Sequence, residues 1–327
     1  MADYKSIKGT KIQNYTTDPD NPLTGQVWYN ETDQVLKVNA GPLVTAWATG
    51  GDLNTGRSRL AGAGTQTAAL AFGGNPGSSP YTTGVTESYN GTNWTEVIDL
   101  NTARRDLAGA GTQTAALAFG GNIPPQTAVT ESWDGTSWTE VNDLNTARDR
   151  LAGCGISTAA LAFGGRNPPA SPVLGVNESW NGTSWTEVND LNTAKLYLAG
   201  AGTQTAALGF AGSPAPTGQT ESWNGTSWTE VNDMNNAPRT GLAGVGIQTA
   251  ALGFGGEVFP TITATTESWN GTSWTEVNDL NQARQGIGGA GTQASALGFG
   301  GTNPPAVVLA ATEEWGETGG NRTIGSS

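Results

Sequence analysis

The chain has 327 residues, 48 of them glycine and 16 proline, with one cysteine, no histidine and a formal net charge of −13. The acidic balance argues against nucleic acid or an anionic membrane as a partner. The lone Cys154 excludes an intramolecular disulfide and reads as a small buried thiol, and the lack of His removes the commonest general base and metal ligand. No run approaches about 18 apolar residues, so no membrane insertion is expected. The opening MADYKSIKGTKIQNY lacks the apolar stretch of a cleaved signal.

In chain order, the first predicted element is a β-hairpin within TGQVWYNETDQVLKVNAG (24–41), where GQVWYN and VLKV alternate around a polar turn. Residues 1–43 read as an extension carrying this hairpin, 44–316 as a repeat domain and 317–327 as a C-terminal tail.

The repeat dominates the rest. LAGAGTQTAALAFGG begins at Leu60 and returns, with small changes, at Leu107, Leu151, Leu198, Leu242 and Ile287. Its second half, TESWNGTSWTEVNDLNTAR, places aromatic pairs at Tyr89/Trp94, Trp133/Trp138, Trp180/Trp185, Trp223/Trp228 and Trp269/Trp274. The sixth copy stops after Trp315, and its missing partner is Trp47, which precedes Leu60 as Trp94 precedes Leu107. A linear array has no need to complete its last unit with its first segment, whereas a ring does. Each unit reads as four short strands, with Asn-Gly or Asp-Gly between the last two predicting a type I′ hairpin turn. The fold class expected is all-β: a six-bladed propeller closed by an N-terminal strand of about 44–49.

Three polar rings recur with the repeat. Asp52, Asp99, Asp143, Asp190, Asp233 and Asp279 precede the basic residues Arg57, Arg104, Arg148, Lys195, Arg239 and Arg284; Glu87, Glu131, Glu178, Glu221, Glu267 and Glu313 form the third. Recurrence in every blade favours a structural role: Asp satisfying backbone groups in the inter-blade loop, the basic residue tying neighbouring strands. The Trp pairs are read likewise as packing of one blade on the next rather than as sugar platforms.

A Gly-Gly doublet ending the second strand (Gly73-Gly74, Gly120-Gly121, Gly164-Gly165, Gly255-Gly256, Gly300-Gly301, with Ala211-Gly212 departing), followed by the spaced aromatics, resembles the Kelch-repeat family. The resemblance implies the propeller fold but no single function. A copper-radical oxidase of that family is excluded because its metal needs His. Carboxylates and arginines are distributed blade by blade without an asymmetric acid pair, and no DxDxDG calcium loop occurs, so neither an enzyme nor a metal or cofactor site is expected.

Individuality is concentrated between the second and third strands of each unit: segments 75–85, 122–129, 166–176, 213–219, 257–265 and 302–311 differ in length and content. They share a face with the DLNTAR loops, and a rigid frame presenting varied loops suits recognition. The ligand-binding candidates are Tyr81, Ile123, Arg166, Leu174, Phe259 and Val308. The N-terminal hairpin is similar to a short Trp-Tyr-Asn module of bacteriophage tail fibres and other virion appendages. This resemblance implies a virion protein, assembled in the host cytoplasm, docked to other virion proteins through residues 1–43 with Trp28 and Tyr29 as contacts. Its propeller would bind a host-surface glycan or protein. A head-decoration or tail-assembly component is the alternative, and a homo-oligomer is compatible with either.

Overall fold

The computed structural model describes residues 12–20, 25–39, 44–168, 173–214, 218–305, 307–318 and 321–323. Parts of the expected extension (1–11, 21–24, 40–43), of three variable segments (169–172, 215–217, 306) and of the tail (319–320, 324–327) lie outside the described residues. Two compact units emerge: Trp47–Trp315, and Met1–Ala46 together with Gly316–Ser327.

The larger unit contains six four-stranded antiparallel sheets. In blade 1 the strands are Ala61–Gly64, Ala69–Phe72, Thr86–Tyr89 and Trp94–Glu96, from inside outwards. Blades 2 to 5 repeat this order. Blade 6 draws its first three strands from Gly288–Gly291, Ala296–Phe299 and Thr312–Thr318, and its outermost strand is Val44–Thr49. The ring closes at the axis. Backbone N–H groups of Asp106, Arg150, Tyr197, Gly241, Gly286 and Arg59 donate to the carbonyls of Arg59, Asp106, Arg150, Tyr197, Gly241 and Gly286 in turn, at 2.7 to 3.0 Å. This circuit of six hydrogen bonds returns to its starting residue.

The core is six wedges between blades. Second strands are sandwiched on both faces, which is why ALAF reads as a continuous small-and-apolar run and why Leu70 and Phe72 are fully buried. Each second-strand phenylalanine meets the outer-strand tryptophan of the next blade: Phe72 with Trp138 at 5.0 Å between ring centres, Phe254 with Trp47 at 4.7 Å and Phe299 with Trp94 at 5.0 Å. At five of the six seams the outer tryptophan then donates its indole N–H to a threonine of the preceding blade, as Trp138 does to Thr86 and Trp185 to Thr130. Both aromatics of every pair are buried, so the indoles pack the blades together.

The polar rings bind the same seams. Asp99 accepts the Thr86 N–H of the blade its loop leaves. Glu131 of the blade the loop enters accepts the Asn101 and Thr102 N–H groups, the Asn101 side chain and the Arg104 guanidinium. The basic residues therefore pair with the Glu ring, not the nearer Asp ring, and five of the six are arginines at 0% exposure. Burial pushes the guanidinium pKa of Arg57, Arg104 and Arg148 down, and the paired Glu opposes the shift.

The outer hairpin differs from the expected type I′ turn. Tyr89 pairs with Trp94, leaving a four-residue loop in which Gly91 alone has positive φ, +90°. The Asn90 side-chain oxygen takes the N–H groups of Thr92 and Asn93, which stabilises the longer loop without forcing Asn90 into the left-handed region. Asp134 does the same in blade 2, and the Thr136 hydroxyl, followed by the Ser137 and Thr136 N–H groups, holds its carboxyl at about 2.

In the smaller unit Val27–Asn30 pairs antiparallel with Val35–Asn39, as the alternation predicted. Gln13–Tyr15 adds in parallel on one side, and Asn321–Thr323, part of the expected tail, adds on the other. Asp18 accepts from Asn30 Nδ2 at 2.8 Å, Trp28 Nε1 at 3.2 Å and Lys37 Nζ at 3.0 Å. The Asn30 hydrogen bond leads in holding its carboxyl at about 2. Trp28 is fully buried, so it braces this sheet and offers no docking surface itself; Tyr29 is half-buried.

Candidate functional site

The two positions between each loop's basic residue and the leucine or isoleucine that opens the next blade escape the repeat. The first reads Ser58, Arg105, Asp149, Leu196, Thr240 and Gln285; the second, whose backbone makes the axial circuit, reads Arg59, Asp106, Arg150, Tyr197, Gly241 and Gly286. Turning into the inner strand forces the second position into the left-handed region, at φ of 56° to 58° in Arg59, Asp106, Arg150 and Tyr197. That conformation costs a non-glycine residue about 1–2 kcal/mol. The six side-chain positions converge on the axis at the face of the variable segments, because each loop is bridged to the segment beside it, as Ser58 is to Asn75 and Asp149 to Arg166.

On one side of the axis the side chains form a charged cluster. Arg59 Nη1 lies 3.6 Å and Arg105 Nε 3.7 Å from Asp106 Oδ2. Asp149, fully buried, accepts from Arg166 Nε at 2.8 Å and from Asn122 Nδ2 at 3.2 Å. The Arg150 guanidinium stacks over the Tyr197 ring at 4.3 Å. Burial pushes the Asp106 carboxyl up against the pull of Arg59 and Arg150, and pushes the Tyr197 phenol up with help from Asp106.

On the other side, where the axial residues are Gly241 and Gly286, the face opens into a cavity of about 400 Å³. Its walls include Arg59, Tyr81, Tyr197, Glu257, Gln285 and Val308. Gly241 is not demanded by the frame: a Cβ there meets nothing closer than 3.6 Å, and four equivalent positions carry side chains at nearly the same φ. Its hydrogen keeps the cavity open. The far part of the channel is lined by the repeated Gly and Ala of the inner strands, varied only by Cys154 and Val245, and holds a hollow of about 110 Å³.

Of the residues expected from the variable segments, Tyr81 and Val308 are brought together in the cavity wall, and Arg166 joins the axial cluster through Asp149. Ile123 and Leu174 are half-buried and line neither feature. Phe259 is 83% exposed and also stands apart, although Glu257 of the same segment lines the cavity. Arg59, Arg105, Asp106, Asp149, Arg150, Tyr197 and Glu257 were missed by reading the chain for a symmetric distribution of charge. Their signal was present: two variable positions inside an otherwise repeated loop.

The solved structure of YjhT, a Kelch-type propeller, is similar to this chain with a TM-score of 0.69, covering 81% of this chain and 96% of that one at 11% identity. At that identity the likeness speaks to the fold alone. No protein-family model and no curated protein matches the chain.

Proposed function

We propose that the chain is a recognition module of a bacteriophage virion appendage, its propeller binding a host-surface glycan at the face of the variable segments. The observation that carries this reading is the cavity of about 400 Å³, built where the repeat is broken on an otherwise repeated frame. Its size falls in the range of small-molecule sites. Two tyrosines supply aromatic faces, and Asn75, Thr240, Gln285 and Glu257 supply both donors and acceptors, the mixture a polyhydroxylated ring requires. The virion assignment rests on the resemblance of the 24–41 hairpin to appendage modules.

Fluorescently labelled chain is expected to stain intact host cells, with staining competed by the cells' own surface polysaccharide. Gly241→Asn, which places a side chain in the cavity at a φ that Asn tolerates better than most residues, is expected to abolish staining while costing no more than about 1 kcal/mol of stability. Staining that survives this substitution places recognition elsewhere.

The second reading is a structural virion component whose loops contact other virion proteins. It is favoured by Phe259 and Val307, apolar side chains 83% and 54% exposed on the variable segments. Immunogold label over the head, with no staining of cells, is the outcome expected from it.

A further inference from the structure

Ten basic residues lie between Trp47 and Trp315. Six are the buried partners of the Glu ring: Arg57, Arg104, Arg148, Lys195, Arg239 and Arg284. The remaining four, Arg59, Arg105, Arg150 and Arg166, all gather in the axial cluster, against two carboxylates, Asp106 and Asp149. Elsewhere the outer strands expose Glu96, Glu140, Glu187, Glu230 and Glu276. An acidic propeller thus carries its spare positive charge at one place, beside the cavity lined by Gly241 and Gly286. Such an arrangement repels anions from the rim and draws them to the axis.

We infer that the axial pocket takes an acidic sugar, a uronate-type residue, with its carboxylate received by Arg59 and its ring lying in the cavity between Tyr81 and Tyr197. This rests on the glycan reading above. Arg59 belongs to both features: it lines the cavity, its side chain is 38% exposed, and its contact with Asp106, at 3.6 Å, is longer than a hydrogen bond. A guanidinium so placed can offer its planar pair of N–H groups to an incoming carboxylate. The cluster behind it has donors to spare, since the Nε groups of Arg105 and Arg150 are buried without a hydrogen-bond partner among the described residues. A dianionic phosphate fits less well, because Glu257 shares the cavity and Asp106 lies directly behind Arg59. A single negative charge on a hydroxyl-bearing ring matches one exposed guanidinium, one carboxylate and surrounding amides and hydroxyls.

The test uses the full chain and a panel of uronate-containing bacterial capsular polysaccharides, each titrated before and after chemical reduction of its carboxyls to alcohols, with sodium glucuronate and inorganic phosphate as small probes. At least one native polymer is expected to bind, and reduction is expected to weaken it at least tenfold. Arg59→Gln is expected to produce the same loss, Arg59→Lys a smaller one, with melting temperatures unchanged. Equal binding of the native and reduced polymers, or native affinity in Arg59→Gln while Gly241→Asn abolishes binding, overturns the acidic-sugar assignment and leaves the glycan reading standing. Phosphate binding more tightly than glucuronate also overturns it. Failure of every polymer and of host cells to bind overturns both.

Discussion

The indole Nε1 of Trp47 donates to Thr266 Oγ1 at 3.0 Å, joining residues 219 apart in sequence. The bond repeats what Trp94 makes to Thr312 and Trp274 makes to Thr220. Trp47 therefore occupies the outer-strand position of blade 6, covering a sheet edge that would otherwise be open. Trp47→Ala is expected to cost about 3–5 kcal/mol, as much as Trp138→Ala. Urea denaturation checks both. Deleting residues 43–50 is likewise expected to lower the melting temperature far more than deleting residues 1–20, and equal losses would contradict the closure.

The Arg148–Glu178 pair has both side chains at 0% exposure. Arg148→Ala leaves the Glu178 carboxylate buried without its cation and is expected to cost about 3–5 kcal/mol. Arg148→Lys is expected to cost only about 1–2 kcal/mol, for the hydrogen bond to the Ala162 carbonyl that an ammonium does not reproduce. Lys195, 3.2 Å from Glu221, shows that the position accepts an ammonium. Equilibrium unfolding of the two variants separates the charge from the fork; similar losses would refute the distinction.

Asn177 stands where the other blades have threonine, and the bond to the next blade fails there. Trp228 Nε1 and Asn177 Oδ1 are both buried without a hydrogen-bond partner among the described residues. Asn177→Thr is expected to give the Trp228 indole its acceptor and to stabilise the protein by about 1 kcal/mol. The shift in the denaturation midpoint reads it directly, and a destabilised variant would show that Asn177 does more than displace a threonine.

Burial pushes the Cys154 thiol up to about 12. The folded pKa is raised above the value of about 8.5 in an unfolded chain, so the stability it contributes is complete below pH 8.5 and is lost as pH rises from there towards 12. At pH 8 a thiol reagent is expected to label Cys154 at the rate of protein opening and to accelerate through the urea transition. Rapid labelling in buffer alone would place the thiol at the surface.

Much of the fold was legible because the repeat states it six times. The split of blade 6 between Trp315 and Trp47 follows from counting residues, and the four strands of each blade follow from alternation and glycine placement. The pairing of the polar rings was not legible. Asp99 is close to Arg104 in sequence, yet Arg104 meets Glu131, because the loop leaves one blade through Asp99 and enters the next through Arg104. The Asn-Gly signal marked the outer hairpin but misjudged its length, since the Asn side chain can cap a four-residue loop as well as take positive φ.

The sequence by itself determined the blade count, the closure and the face on which variation is allowed, because periodic burial leaves a periodic record along the chain. Only the tertiary structure decided which variable residues meet. Arg59, Asp106, Arg150 and Tyr197 lie at least 44 residues apart from one another in sequence. They converge because every inner strand starts at the axis, and Gly241 and Gly286 leave beside them the space that a ligand could fill. Convergence on an axis is a property of the closed ring, and no single copy of the repeat contains it.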